Sequence, residues 1–232
     1  MIKLIQFPRM LGLPNPSPFC VKVEVLLKMA GIAYECEFVG NPGKGPKGKL
    51  PAIVDDGQAI GDSEIIRWHL ERKYGIDFDK GLSPAERAIS HVLSRMAEER
   101  TYWVLVYSRW IEEANWLLFR DNLFAGMPGF LRAALGPVIR RRVRSMLRAQ
   151  GLGLHGRDEI YAMGAKDVGA ISVQLGTKPF LLGSEPTSVD ATVWPYIVGT
   201  LVPPLESPLK QAIQKHPNLV EYSERMRARF FG

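Results

Sequence analysis

Every strand-like signal in this chain lies before residue 77, and everything after residue 82 reads as helix. That switch limits the fold to a small α/β unit followed by an all-helical one, because alternating strands and helices share a sheet and a run of helices does not. "IKLIQF" (2–7) is a short apolar run ended by Pro8. "PFCVKVEVLLKMAG" (18–31) sets Cys20, Val23, Leu27 and Ala30 on one helical face, places Lys22 and Lys28 elsewhere, and stops at Gly31. "AYECEFV" (33–39) alternates as a strand does, and "GNPGKGPKGK" (40–49) is a loop. "LPAIVDDGQAI" (50–60) reads as two strands joined at Asp-Gly, and "DSEIIRWHLERKYG" (62–75) as a helix capped by Asp62 or Ser63 and ended by Gly75. Strand, helix, strand predicts a parallel pair with a crossover helix, and the hairpin adds an antiparallel edge.

The helical half opens at Ser83-Pro84 with Glu86 in the first turn, and the segment to about Phe119 is rich in Trp and Tyr. Gly126, Pro128, Gly129, Gly136 and Pro137 are expected to break up the next stretch. Helices are predicted over 156–176, 187–202 and 218–231. The domains implied are residues 1–77 and 82–232.

At 232 residues, 46% hydrophobic and 23% charged, the chain can bury a core in each half. Cys20 and Cys36 are too few for a disulfide framework, which suits a reducing compartment. "MIKLIQFPRM" lacks the apolar core of a secretory signal, and no apolar run reaches the roughly 18 residues that span a bilayer. A cytoplasmic location is the expectation. Residues 78–232 hold 20 Lys and Arg against 15 Asp and Glu, with Arg140, Arg141, Arg142, Arg144 and Arg148 clustered in "IRRRVRSMLR" (139–148). The cluster fits either a solvated helix face or a surface for anionic partners. No nucleic-acid motif with stacking aromatics accompanies it.

Four places carry chemistry. Pro51, at a strand entry, reads alone as an ordinary trans proline; in cis it would leave the Leu50 backbone free to pair with an extended ligand. Asp62-Ser63 at a helix start is a cap, and the same groups suit a carboxylate ligand. Ser17-Pro18 is a favoured cap pair, while the Ser17 hydroxyl at the positive end of a helix also suits donation to a thiolate. Cys20, one turn further in, reads as buried and inert. Trp103, Tyr107 and Trp110 in "TYWVLVYSRWIEEANW" (101–116) are core by spacing, or a lining for an apolar substrate if they face a cleft. His69, His91, His155 and His216 show no metal-ligand spacing.

Together, "SPFC" (17–20), "KGKLPAI" (47–53), "GDSEIIRWHLERKYG" (61–75) and "FLLGSEPTSVDATV" (180–193) resemble the glutathione S-transferase superfamily. "SPFCVKVEVLLKMAGIAYE" (17–35), "GPKGKLPAI" (45–53) and "PTSVDATV" (186–193) are similar to the branch of the failed-axon-connections proteins and metaxins. The resemblance implies a thioredoxin-like N-terminal domain, a helical C-terminal domain and a homodimer. It implies glutathione as co-substrate, no metal, and an apolar electrophile as second substrate. Ser17 would approach the glutathione sulfur, Leu50 with cis-Pro51 would pair with its cysteinyl part, and Asp62 and Ser63 would hold the γ-glutamyl end. Lys49 or Lys47 would approach the glycine carboxylate, and Thr187 and Asp190 would form a helix-capping pair. Two other readings stand beside conjugation. One is a metaxin-like, non-catalytic module docking on a protein or membrane, and the other a glutathione-dependent reductase or lyase using Cys20 as nucleophile.

Overall fold

The computed structural model describes residues 1–232. In β1 (Ile2–Gln6) the side chains of Ile2, Leu4 and Gln6 are buried and those between are not, the two-residue period of a strand. The crossover helix α1 (Pro18–Met29) returns the chain parallel to β1 as β2 (Tyr34–Phe38). β3 (Ala52–Asp55) runs antiparallel to β1 and turns at Asp56-Gly57 into β4 (Gln58–Gly61), giving the sheet order β2-β1-β3-β4. α2 (Ser63–Tyr74) ends at Gly75, whose left-handed conformation a glycine adopts without strain. The predicted mixed sheet is the one observed.

The helical half begins with α3 (Pro84–Met96), whose Ser83 and Glu86 form a reciprocal capping box. A single π-helical turn (Ala97–Thr101) leads into α4 (Tyr102–Trp110), followed by α5 (Glu113–Leu123) and α6 (Gly129–Gln150). Then come α7 (Arg157–Leu175), α8 (Ser188–Leu201), α9 (Pro208–Gln214) and α10 (Pro217–Phe231). α8 is the axis of the molecule: all of residues 188–200 are buried. Its start is held by Asp190, which accepts from the Thr187 and Leu181 backbone N–H groups (2.8 and 2.9 Å) and the Tyr222 hydroxyl (3.0 Å). Burial raises this carboxyl, and those hydrogen bonds oppose the rise without cancelling it. α1 packs on α8, and one cluster of 40 buried residues runs from Ile2 to Met226, so the two halves share a core.

Two expectations need correction, and one helix was not anticipated. Gly136-Pro137 does not interrupt α6, which passes through it for 22 residues. Gly136 faces inward, where a Cβ would sit 3.4 Å from Arg120 Cδ, while Pro137 is exposed. Ala133, whose carbonyl loses its helical partner to Pro137, is exposed as well. α9 follows Ser207-Pro208, a cap signal the sequence reading passed over. Lys22, placed off the apolar face, is 1% exposed.

Candidate active site

The site follows from the register of the sheet. Ala52 lies between Ile5 on β1 and Gly61 on β4, so one residue further on Gln6, Pro51 and Asp62 emerge together at one end. The Leu50–Pro51 peptide bond is cis, and both residues are buried. The chain leaving Gln6 is tied back to that end by Asn15, whose Nδ2 donates to Gln6 Oε1 (3.1 Å) and the Phe7 carbonyl (2.6 Å). The Ser17 N–H in turn donates to Asn15 Oδ1 (3.0 Å), which sets where α1 begins. Gln6 is itself held by Glu24 Oε2 (3.1 Å), and the other Glu24 oxygen accepts from Arg9 and the Tyr34 hydroxyl. Gln6, Asn15 and Glu24 are all buried, so the start of α1 rests on a satisfied polar network.

Ser17 occupies the N-cap of α1 with extended backbone, yet its hydroxyl makes no capping hydrogen bond. It is half-buried, at the positive end of the helix. Cys20 is fully buried, and burial pushes its thiol up to about 12 against smaller opposing pulls from the Ser17 hydroxyl and the Phe7 backbone. A thiol so placed is almost wholly protonated at neutral pH and out of reach, which opposes the nucleophile role raised for Cys20.

Asp62, rather than Ser63, is the cap of α2: its carboxylate accepts from the Glu64 N–H (2.9 Å) and the Ile65 N–H (3.4 Å). Its φ of 85° is a left-handed value that costs a non-glycine residue about 1–3 kcal/mol. Ser63 is 6% exposed beneath it. Lys47 and Lys49 lie on an exposed loop that closes by a Gly48 N–H to Gly45 carbonyl bond of 2.9 Å. Any side chain at Gly45 would overlap the Lys49 carbonyl oxygen. The same turn brings Lys47 beside Gly61, next to Asp62.

Of the aromatic candidates, Trp103, Tyr107 and Trp110 are all half-buried on α4. Tyr107 meets Tyr161 edge-on at 5.8 Å. Trp110 stacks on Trp116 at 5.2 Å and packs beside Phe119, in a small second core that also holds Met10 and Leu11 from the loop after β1. Trp110 therefore supports that loop. The aromatic that packs on Phe19, at the start of α1, belongs to the same stretch but was not among the expected pocket residues: Tyr102, 5.0 Å from the Phe19 ring.

Two buried cations were also missed. Arg109 donates to the Pro16 carbonyl (2.6 Å) and the Gly199 carbonyl (2.7 Å), tying the residue before Ser17 to α4 and α8. Burial lowers its guanidinium to about 10. Lys22 lies between Glu64 Oε2 (2.7 Å) and Glu98 Oε1 (2.8 Å), joining α1 to α2 and to the π-helical turn. Neither has a local signature, since each partner lies 42 residues or more away in sequence. Arg140 is also no free surface charge: it donates to the Trp110 and Ile111 carbonyls (2.8 Å each) and pairs with Glu113, leaving Arg141, Arg142, Arg144 and Arg148 exposed.

A concavity of about 590 Å³ lies at the other end of α1, between Lys28, Met29, Glu185, Pro186, Arg229 and Phe230. No group of three or more His, Cys, Asp or Glu side chains is gathered as a metal site would require.

Comparison with known proteins agrees with this geometry. The family description "Glutathione S-transferase N-terminal domain" matches residues 18–115, and "Glutathione S-transferase, C-terminal domain" matches 164–226. Failed axon connections of Drosophila melanogaster is 31% identical across the whole chain, which spans 58% of that protein's length. The isoprene-epoxide–glutathione S-transferase of Rhodococcus sp. (strain AD45) is 31% identical over 94% of both chains. Metaxin-1 of Macaca fascicularis is 27% identical over 95% of this chain and 72% of that one. Among solved structures, the β-etherase LigF from Sphingobium sp. strain SYK-6 superposes with a TM-score of 0.68 over 99% of this chain and 96% of that one, at 18% identity. That superposition shows the shared fold, and the relatives bear out the resemblance to the failed-axon-connections and metaxin branch.

Proposed function

The chain belongs to the glutathione S-transferase family, and from that premise we propose that it conjugates glutathione to a small apolar electrophile, with Ser17 stabilising the thiolate. The observation that carries this reading is the Ser17 hydroxyl, which makes no capping hydrogen bond, at a helix start beside the cis-proline end of the sheet. Residues 1–77 bind glutathione in this reading, and 82–232 supply the electrophile pocket. The Leu50 backbone pairs with the cysteinyl part, Asp62 and Ser63 hold the γ-glutamyl end, and Lys47 or Lys49 meets the glycine carboxylate. Tyr102 and Trp103 border the sulfur, and Tyr107 lies further along α4.

The chemistry is electrostatic. The glutathione thiol gives its proton to water, and the Ser17 hydroxyl and the α1 dipole favour the thiolate left behind. The thiolate then attacks an electrophilic carbon. With an epoxide, the S–C bond forms as the C–O bond breaks, and the alkoxide takes a proton from water. The isoprene-epoxide relative makes small epoxides the first substrates to assay. A homodimer is part of the proposal, supported by exposed Ile65 and Trp68 on α2 and Ile89 and Val92 on α3, and a cytoplasmic location is proposed with it.

Isothermal titration with glutathione, followed by turnover with an epoxide and with a general aryl halide, tests the reading. No binding at millimolar glutathione overturns it. Ser17→Ala is expected to keep the fold and glutathione binding while lowering kcat at least ten-fold. Unchanged kcat would remove Ser17 from the chemistry.

A further inference from the structure

Eight of the seventeen large apolar side chains exposed on the molecule fall between residues 117 and 146, so solvent-facing hydrophobicity is concentrated on α5, α6 and the turn between them. α6 arranges its share in order. Residues 130, 134, 138, 141, 145 and 148 follow the three- and four-residue spacing that keeps one helical face. All six are exposed: Phe130, Ala134 and Val138, then Arg141, Ser145 and Arg148. Phe130 is 73% and Val138 64% exposed. The buried side of the helix carries Gly136, Leu147 and the pinned Arg140. One outward stripe, about 27 Å long at 1.5 Å per residue, is therefore apolar in its first half and cationic in its second.

The charge around the stripe identifies its partner. From residue 122 to 157 the sequence has seven arginines and no Asp or Glu. A twofold contact along the whole stripe would set arginine against arginine if the helices ran parallel, and would bury arginine against Phe130 and Val138 if they ran antiparallel, so either arrangement disfavours a second copy of the chain. Nucleic acid would satisfy the arginines and leave Phe130, Leu131, Leu135 and Val138 without a use. A bilayer with acidic headgroups satisfies both halves, because apolar side chains enter the acyl boundary while cations stay at the phosphates. No helix is long and apolar enough to cross a membrane, so the contact is peripheral. We propose that the outward face of α6 docks this protein on anionic lipid surfaces, with Phe130 and Val138 inserted and Arg141, Arg142 and Arg148 at the headgroups. This surface is separate from the Ser17 end of the sheet and holds whether or not the conjugation reading does.

The test is co-sedimentation of the full chain with phosphatidylcholine vesicles and with vesicles containing 30% phosphatidylglycerol, at low and at 0.5 M salt. Binding is expected to the anionic vesicles alone and to fall steeply with salt. Arg141→Gln/Arg142→Gln/Arg148→Gln should weaken it about 100-fold, at roughly five-fold per arginine. Phe130→Ser/Val138→Ser should weaken it at least ten-fold at low salt. Circular dichroism checks that both variants remain folded, since every substituted side chain is exposed. Equal sedimentation with both vesicle types, or full binding by Phe130→Ser/Val138→Ser, overturns the proposal. So does a dimer that these two substitutions dissociate, or tight binding to a single-stranded oligonucleotide that the arginine variant loses.

Discussion

Replacing Lys22 by Met isolates what holds the two halves in register. The Lys22 side chain is 2% exposed, and its partners Glu64 and Glu98 are 22% and 5% exposed. Methionine keeps the apolar stem and removes the ammonium, leaving two carboxylates facing one another in a largely dry interface. Breaking a buried pair from one side costs about 3–5 kcal/mol, because the surviving charge has lost its partner. Arg95 still contacts both acids, at 3.5 Å from Glu64 and in a short contact with Glu98, so the cost should fall at the lower end, about 3 kcal/mol. For a chain of this length that is a Tm lower by about 6–12 °C. Urea titration followed by far-ultraviolet circular dichroism and tryptophan fluorescence measures the loss. Adding Glu98→Gln to Lys22→Met should recover at least about 1 kcal/mol, since a neutral amide no longer needs the cation. A loss under about 1 kcal/mol, or no recovery in the double variant, would refute the argument by showing that water solvates the acids.

The same cluster sets an acid limit. Burial raises the Glu64 carboxyl, but Lys22, then Arg67 and Arg95, outweigh it and hold it below the usual range. The folded state thus binds fewer protons there than the unfolded state. The stability it contributes is present above the ordinary pKa of about 4.3 and is lost as pH falls through the folded value. Urea midpoints between pH 6 and 3 should fall less steeply in Glu64→Gln than in the parent. Thiol labelling of the native protein should modify half-buried Cys36 and spare Cys20, with both reacting in denaturant; rapid native labelling of Cys20 would restore the reductase or lyase reading. Asp190→Ala should cost about 3 kcal/mol or more, as it strands the buried donors of Thr187, Leu181 and Tyr222; a near-neutral denaturation midpoint would show that water replaces the carboxylate.

The parts legible in the sequence are those determined by neighbours along the chain. Pro51 at a strand entry, Asp62 at a helix start, Ser17-Pro18 at another and Thr187 with Asp190 are signals confined to a few residues. They placed the strands, helix starts and loops of the candidate site before any packing was considered. The sheet register then brings the ends at Gln6, Pro51 and Asp62 together, and the buried Gln6–Asn15 contact adds Ser17. What the sequence left undecided depends on which surface meets which. Lys22 looks like a solvated lysine until Glu98, 76 residues away, closes over it. Arg109 looks like an interruption in an aromatic helix until the carbonyls of Pro16 and Gly199 receive it. Pro137 looks like a helix breaker until it and Ala133, whose carbonyl it leaves without a helical partner, both come to lie on the exposed side of α6. A charge, a proline or an aromatic costs what its surroundings make it cost, and those surroundings exist only after distant segments have packed.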